Sequence, residues 1–574
     1  MISFEDYIQD DNKIINILCK YRAKLADKKH KNLFYNNLFP RNTKKTITSE
    51  EIERLMPPRR QWVSLNQKLR YKPANNGVKQ SISSIESNIL RLRITIDKSI
   101  KNGSNQEWLI NLINFIDEVK KCAIDTFYKI NPPITIPIRK NNQTTECRPI
   151  SKFTSLRDRV ILTLANKYLT VALNKYLDNE SLAFRSKRLY YGKNDYITTH
   201  HDAIDRITDY RLKHSTQQIY VAECDMQKFY DSVNHSIIKR EFKKILSKFQ
   251  KDNPEVNVES IKNIFYKYLE CYTFYKNVYN LNKSTYFWSK HNIPNGYFAW
   301  INEELINKGF CKSNRSLSRT RIGIPQGGAL SGLIANIVLN IADQKVRKIS
   351  NEDFLYVRYC DDMILLHTNE IKCQTILSKY ILALEKLRLI PHKMENNLPF
   401  RKKRFWEIKS KSVYCWGPNG SDWIGFVGYE INRTGEIRIR KKSINKEKDK
   451  IKKIISEVHK NFHNNKRCSD FAIKTSIRYK LTSMAVGRVS LWNYLTIENE
   501  LCWINGFKKL NNNKYVSIQI RDLDRTRLNA MRTLNKLLKA HQNQEIIYRE
   551  KKNENIIYYG RPFSYHYHFL KNIK

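Results

Sequence analysis

Asp361 and Asp362 are adjacent carboxylates set between two short apolar runs, Phe354-Leu355-Tyr356-Val357 and Met363-Ile364-Leu365-Leu366. Two strand-like runs around a tight break predict a β-hairpin with both acids at its tip. Like charges a few ångströms apart raise one another's pKa, so such a pair calls for a cation. A divalent metal would supply it, and two-metal phosphoryl transfer needs carboxylates converging from separate segments onto ions roughly 3.5–4 Å apart. Taken alone, an Asp-Asp pair equally describes a solvated turn. A third acid in a fitting setting lies upstream, where residues 219–225 read as a strand ending in Asp225 and Met226-Gln227-Lys228-Phe229-Tyr230-Asp231 then turns toward a helix. Between the two acidic sites, Gly323-Ile324-Pro325-Gln326-Gly327-Gly328 lets backbone pass close to another molecule. Residues 333–340 continue at helical spacing.

The elements around these residues are mixed in type. Residues 1–130 read mostly as helix, with apolar positions at helical spacing in 81–92 and 108–123 and breaks at Pro57-Pro58 and at Pro73 to Gly77. A stretch rich in proline, 131–138, precedes the first strand-like runs. Residues 236–320 form a long insertion between the acidic sites, with Phe265-Tyr266, Tyr272 to Tyr275 and Tyr286-Phe287-Trp288 interleaved with lysines. That interleaving suits single-stranded nucleic acid or a partner chain, and equally a helical subdomain packing on itself. Residues 435–440 alternate like a half-buried strand. Residues 440–453 then hold eight Lys or Arg against Glu447 and Asp449. Ile444, Ile451, Ile454 and Val458 give that helix an apolar face, and 460–574 read as helical, Trp492 to Leu495 and Met531 to Leu538 among them.

The 103 Lys and Arg against 55 Asp and Glu give a formal net charge of +48, an electrostatic footprint for polyanions with salt-dependent binding. No apolar stretch approaches the roughly 20 residues a spanning helix needs, and the N-terminus does not read as a signal peptide, so a cytoplasmic chain without a membrane partner is expected. The 11 cysteines are scattered singly, which excludes a simple zinc ribbon and fits reduced thiols. At 574 residues the chain exceeds what one core usually supports.

Taken together, these segments resemble a reverse transcriptase. Asp225 with Phe229-Tyr230 resembles palm motif A, Gly323 to Gly332 motif B, and Tyr359-Cys360-Asp361-Asp362 the motif C signature. Ile134 to Lys140, Cys147-Arg148-Pro149-Ile150 and Leu156 to Ile161 resemble the fingers. Leu182-Ala183-Phe184-Arg185 with Tyr191-Gly192 resembles the segment before motif A, Leu387 to Lys393 motif D, and Trp423 to Tyr429 the primer-grip hairpin. The likeness covers about residues 130–445 and is greatest to the prokaryotic branch of group II introns, retrons and defence-associated enzymes.

That resemblance implies an α+β fold, a right-hand polymerase of fingers, palm and thumb with helical N- and C-terminal extensions. Its divisions would be a helical extension over 1–130, fingers and palm over 131–435 with the insertion 236–320, and a helical thumb and C-terminal region over 436–574. It implies an RNA-directed DNA polymerase using dNTPs, with Asp225 and Asp361 holding two Mg²⁺ ions and Asp362 supporting them. Arg148, with Arg139 or Lys140, would clamp the triphosphate, and Gln326 and Gly327 would floor the nascent base pair. Tyr230 would exclude a ribose 2′-hydroxyl, and Lys393 would protonate pyrophosphate. The implied partners are template or non-coding RNA, the DNA product, and a homo-oligomer or partner protein. The implied role is anti-phage defence with an unusual or repetitive product, with Tyr565 and Tyr567 among the hydroxyls that could prime it. Two other readings stay open, a maturase-like RNA-binding and splicing protein and a non-catalytic RNA-binding scaffold.

Overall fold

The computed structural model describes residues 1–31, 47–72, 80–140, 144–190, 192–312, 316, 319–349, 353–394, 403–461, 469–486 and 502–549. The break at Pro73 to Gly77, Tyr191, Trp492 to Leu495, Tyr565 and Tyr567 lie outside these residues. Among the described residues, no helix is long and apolar enough to cross a membrane.

A four-stranded antiparallel sheet lies at the centre, in the order Lys411–Trp416, Ile219–Cys224, Asp362–His367, Phe354–Tyr359. Its inner strands are apolar on both faces because both faces are covered, and the two-residue period divides them cleanly. Ala222, Cys224, Met363, Leu365 and Tyr356 point into the main helical core. Ile219, Val221, Leu355, Val357, Ile364 and Leu366 point into a second core. Helices Ser331–Arg347, Glu370–Lys386 and His235–Asp252 contribute to the first. Helix His200–Lys213 and the three-stranded sheet Trp423–Phe426, Tyr429–Asn432, Ile437–Ile439 contribute to the second.

The N-terminal helices Phe4–Gln9, Asp11–Lys31, Ser84–Lys101 and Glu107–Ile124 share the main core rather than forming one of their own. Ser83 starts the third with a capping box, its hydroxyl accepting from the Glu86 N–H while the Glu86 carboxylate accepts from Ser83 N–H. Ahead of the central sheet, strand Ile134–Arg139 pairs antiparallel with Glu146–Lys152, placing Ile138 opposite Arg148. At the other end, helices Lys441–Asn461, Asp470–Val486 and Lys514–Arg549 close on a separate core. Ile451, Ile454 and Val458 are buried there, so the basic helix turns its apolar stripe inward and its lysines outward.

The aromatic residues of the insertion are mostly core. Phe265, Tyr272, Phe274 and Trp288 are buried, and Phe242 stacks on Phe265 with ring centroids 3.7 Å apart. These residues explain Gly323 and Gly328, since a Cβ added at Gly328 would fall 2.0 Å from the Tyr268 hydroxyl and one at Gly323 2.7 Å from Phe274 Cβ. The close approach therefore serves the insertion's own packing beneath the loop. Tyr286 stays exposed.

Candidate active site

The hairpin forms as its sequence indicates. Tyr359 pairs with Asp362, leaving Cys360 and Asp361 as a two-residue loop, and Cys360 takes a left-handed φ of 59°. On the neighbouring strand Met363 pairs with Cys224, so the next residue, Asp225, emerges beside Asp362. Residues from two segments more than a hundred positions apart thus meet at one end of the sheet.

Their electrostatics are unfavourable in a specific way. Burial, then the charge of Asp225, raises the Asp361 carboxyl above its usual value. Burial, then Asp225 and Asp361, pushes Asp362 up to about 7. Asp362 reaches solvent, and water screens part of that shift. Asp225 has found a cation within the chain, with Lys409 Nζ 3.0 Å from Asp225 Oδ2. Lys409 Nζ also donates to His392 Nε2 at 3.1 Å, and burial with that ammonium lowers the His392 imidazole to about 4. Among the described residues no three carboxylate, imidazole or thiolate groups converge tightly enough to ligate one ion. Nevertheless, hard oxygen donors that repel one another and already attract an ammonium are the donor type that Mg²⁺ favours, and Asp225, Asp361 and Asp362 would hold it.

The sign of the pH effect follows. A carboxyl whose folded pKa lies above its unfolded value of about 3.9 favours the fold when protonated, so its contribution is present below about pH 4 and lost as pH rises toward 7. In EDTA, the Tm of Asp362→Asn should gain on that of the intact protein between pH 4 and pH 8, and Mg²⁺ should shrink the gap at pH 8. A pH-independent gap would show that Asp362 is not held in this state.

A buried ion pair sets the hairpin. Arg358 and Asp343 are both fully buried, with Arg358 Nε 2.8 Å from Asp343 Oδ1 and Nη2 2.6 Å from Oδ2. Arg358 Nη1 donates to the Cys360 carbonyl at 2.7 Å, directly before Asp361, and Tyr356 donates its hydroxyl to Asp343 at 2.6 Å.

The loop after Asp225 is tied down by its amide and carbonyl. The Asp225 N–H donates to Ser410 Oγ at 2.9 Å, and the Asp225 carbonyl accepts from the His392 N–H at 2.9 Å. Tyr230 packs edge-on to Phe229 at 5.3 Å, and burial, then Cys360 and Asp361, raises its phenol. Gln326 donates from Nε2 to Asp231 Oδ1 at 2.8 Å, while its carbonyl accepts from the Ser151 N–H at 2.9 Å. Asp231 is buried, which pushes its carboxyl up to about 6 against the opposing pull of Gln326, Lys228, Lys140 and Arg148. Gly327 has a φ of 95°, which requires glycine-like freedom. Arg139 and Arg148 lie on the strand pair that precedes the central sheet in the chain, and Lys140 directly follows its first strand. Glu146 accepts from both Lys140 at 2.5 Å and Lys228 at 2.6 Å, and Arg139 and Arg148 are exposed. Lys393 is exposed; the side chain that its loop turns toward Asp225 is the neighbouring His392.

Several participants carry no local signal. Lys409 stands in an ordinary basic run, Asp343 in the middle of a helix, and Asp231 beside a motif that names only its neighbours. The proline-glycine loop did hint at close packing, though not at its partner.

Residues 255–431 match the sequence profile of the family described as reverse transcriptase (RNA-dependent DNA polymerase). That stretch contains Gln326, Gly327, Asp361, Asp362 and Lys393, and begins after Asp225 and Tyr230. No curated protein matches the sequence. Among solved structures, apo telomerase from Candida tropicalis aligns at 13% identity over 82% of this chain and 79% of its own, with a TM-score of 0.33. Telomerase from Candida albicans, in complex with a fragment of telomeric RNA, aligns at 12% identity over 82% and 76%, with a TM-score of 0.31. With the family match, the mixed helix and strand architecture is that of a right-hand polymerase, and the chain is an RNA-directed DNA polymerase.

Proposed function

We propose that this polymerase extends DNA from dNTPs by two-metal nucleotidyl transfer at Asp225, Asp361 and Asp362. The supporting observation is the meeting of Asp225 with the hairpin tip, where the two tip carboxyls are raised by burial and mutual repulsion. Asp225 and Asp361 hold the ions and Asp362 supports them; when bound, Mg²⁺ would acidify the primer hydroxyl and neutralise the departing pyrophosphate. Arg148, Arg139 and Lys140 bind the triphosphate from the neighbouring strand pair by charge-assisted bonds. Gln326, held by Asp231, and Gly327 support the nascent pair. Tyr230 packs under the sugar and rejects a 2′-hydroxyl. Lys393 delivers a proton to pyrophosphate.

The wider reading is a cytoplasmic, prokaryotic enzyme of the group II intron and retron-like branch, working in anti-phage defence with a non-coding RNA and an unusual or repetitive product. Helices Phe4–Gln9, Asp11–Lys31, Ser84–Lys101 and Glu107–Ile124 before the central sheet, and Lys441–Asn461, Asp470–Val486 and Lys514–Arg549 after it, support it. In this reading residues 1–130 are an extension, 131–435 fingers and palm, and 436–574 thumb and C-terminal region.

The test is purification with whatever nucleic acid accompanies the chain, sequencing of that nucleic acid, and supply of Mg²⁺ with labelled nucleotides. Templated DNA from dNTPs supports the reading; one discrete RNA with no incorporation would hand the chain to the maturase or scaffold alternatives. Tyr230→Ala should raise incorporation of ribonucleotides relative to deoxynucleotides on the order of 10- to 100-fold, the scale of a steric discrimination. Unchanged sugar preference would remove Tyr230 from the pocket.

A further inference from the structure

Phe184 is an aromatic residue presented outward in a conformation that bulky residues seldom adopt. Its φ is 54° and its side chain is 53% exposed, while Leu182, Ala183 and Arg185 around it are 0%, 2% and 6% exposed. Such a backbone persists only where neighbours over-determine it. Arg185 spreads its guanidinium over the carbonyls of Asn174, Leu177, Asp178 and Ser181 and donates from Nε to Asn174 Oδ1 at 2.9 Å. The Ala183 carbonyl accepts from Asn336 Nδ2 at 2.7 Å, and the Leu182 N–H donates to the Arg358 carbonyl at 3.0 Å. The ring lies over Gly332 in the first turn of helix Ser331–Arg347, where an added Cβ would fall 2.5 Å from Phe184 Cγ. Glycine there makes room for this ring.

The same buried groups hold the carboxylates. Arg358 Nη1 donates to Asn336 Oδ1 at 3.3 Å and to the Cys360 carbonyl at 2.7 Å. One network therefore fixes the Phe184 ring and the turn bearing Asp361 in a common frame. On another side of the hairpin, Tyr359 and Tyr429 gather about His200, with centroids 6.1 and 6.2 Å from its ring, beside the strands that resemble a primer grip. Phe184 lies instead over the first turn of helix Ser331–Arg347, which follows directly on the loop of Gly327 and Gly328.

We propose that Phe184 is a stacking platform for an unpaired nucleobase of the template strand, an inference that rests on the polymerase reading of the carboxylates. An aromatic face accepts any base, so the site is sequence-tolerant, and loss of one such stack weakens binding roughly 5- to 150-fold.

The test is fluorescence anisotropy of the full chain with a primer–template carrying a single-stranded template overhang, and with the same duplex made blunt. Phe184→Asn tolerates the left-handed backbone without the ring, Phe184→Leu keeps apolar cover over Gly332 without a π-face, and Phe184→Tyr keeps the π-face. The expected result is that Asn and Leu variants bind the overhang substrate 5- to 150-fold more weakly, bind the blunt duplex normally, and keep the parent Tm, while the Tyr variant binds as the parent does. If the Asn variant fails to fold, the Leu variant decides. Equal loss on both substrates, or no loss on either, overturns the platform. Single-nucleotide incorporation by the parent separates the two readings. Incorporation without any effect at Phe184 removes the platform alone, whereas a selective overhang defect in a chain that never incorporates removes the catalytic reading and leaves the platform.

Discussion

Replacing Asp361 by alanine is expected to reduce nucleotide incorporation at least a thousandfold while leaving the protein folded. A thousandfold is about 4 kcal/mol at roughly 1.4 kcal/mol per decade, within the range that a positioned metal supplies to a phosphoryl transition state. The Asp361 carboxyl is raised by burial and by Asp225, so its removal relieves repulsion in the metal-free protein. The Tm in EDTA should therefore hold or rise even as activity disappears. Asp225→Ala should behave alike in activity, and the double variant should be hardly worse than either single one, because groups serving one site act as a unit. Single-turnover incorporation beside thermal melts measures both. Activity above a tenth of the parent's would mean that these carboxylates are misassigned.

The largest effect on stability is expected at Asp343. Its loss leaves the Arg358 guanidinium, fully buried, without its bidentate partner. Removing one member of a buried pair costs about 3–5 kcal/mol, a large share of the roughly 5–15 kcal/mol that holds a domain together. Asp343→Ala should lower the urea midpoint accordingly, and the catalytic hairpin should suffer first, since Arg358 also holds the Cys360 carbonyl. The double variant Asp343→Leu with Arg358→Met should recover much of the stability, because apolar groups of similar volume replace a buried pair at little cost. Stability recovered without activity would separate the pair's positioning of the loop from its contribution to the fold. By contrast, Lys262→Ala breaks only an exposed i,i+3 pair with Glu259 and should cost less than about 1 kcal/mol. An Asp343→Ala midpoint no lower than that of Lys262→Ala would refute this account of the pair.

Much of the candidate site is legible as local pattern. The acids at the hairpin tip, the strand ending in Asp225, the helix after Gly328 and the basic helix Lys441–Asn461 all follow from periods of two and of 3.6 residues. The apolar face of that helix, Ile444, Ile451, Ile454 and Val458, is buried as its spacing implies. The role of the insertion could not be settled in that way. Phe265 and Trp288 look the same in sequence whether they stack on bases or fill a core, and only burial separates the two.

What the sequence determined by itself is the chemistry on offer: three carboxylates in strand and turn settings, a glycine loop, an aromatic after the first acid and a strongly positive chain. Those properties depend on neighbours within a few positions, where backbone geometry dictates which side chains share a face. Tertiary structure alone decided the partners, Lys409 and His392 on Asp225, Asp231 on Gln326, Asp343 on Arg358, and Asn336 joining Phe184 to the hairpin. Some of these pairs are separated by more than 150 residues, and even the closest are set by how a helix seats on a sheet. No local periodicity encodes such a meeting; it exists only once the chain has buried its cores and the remaining charges have had to find one another.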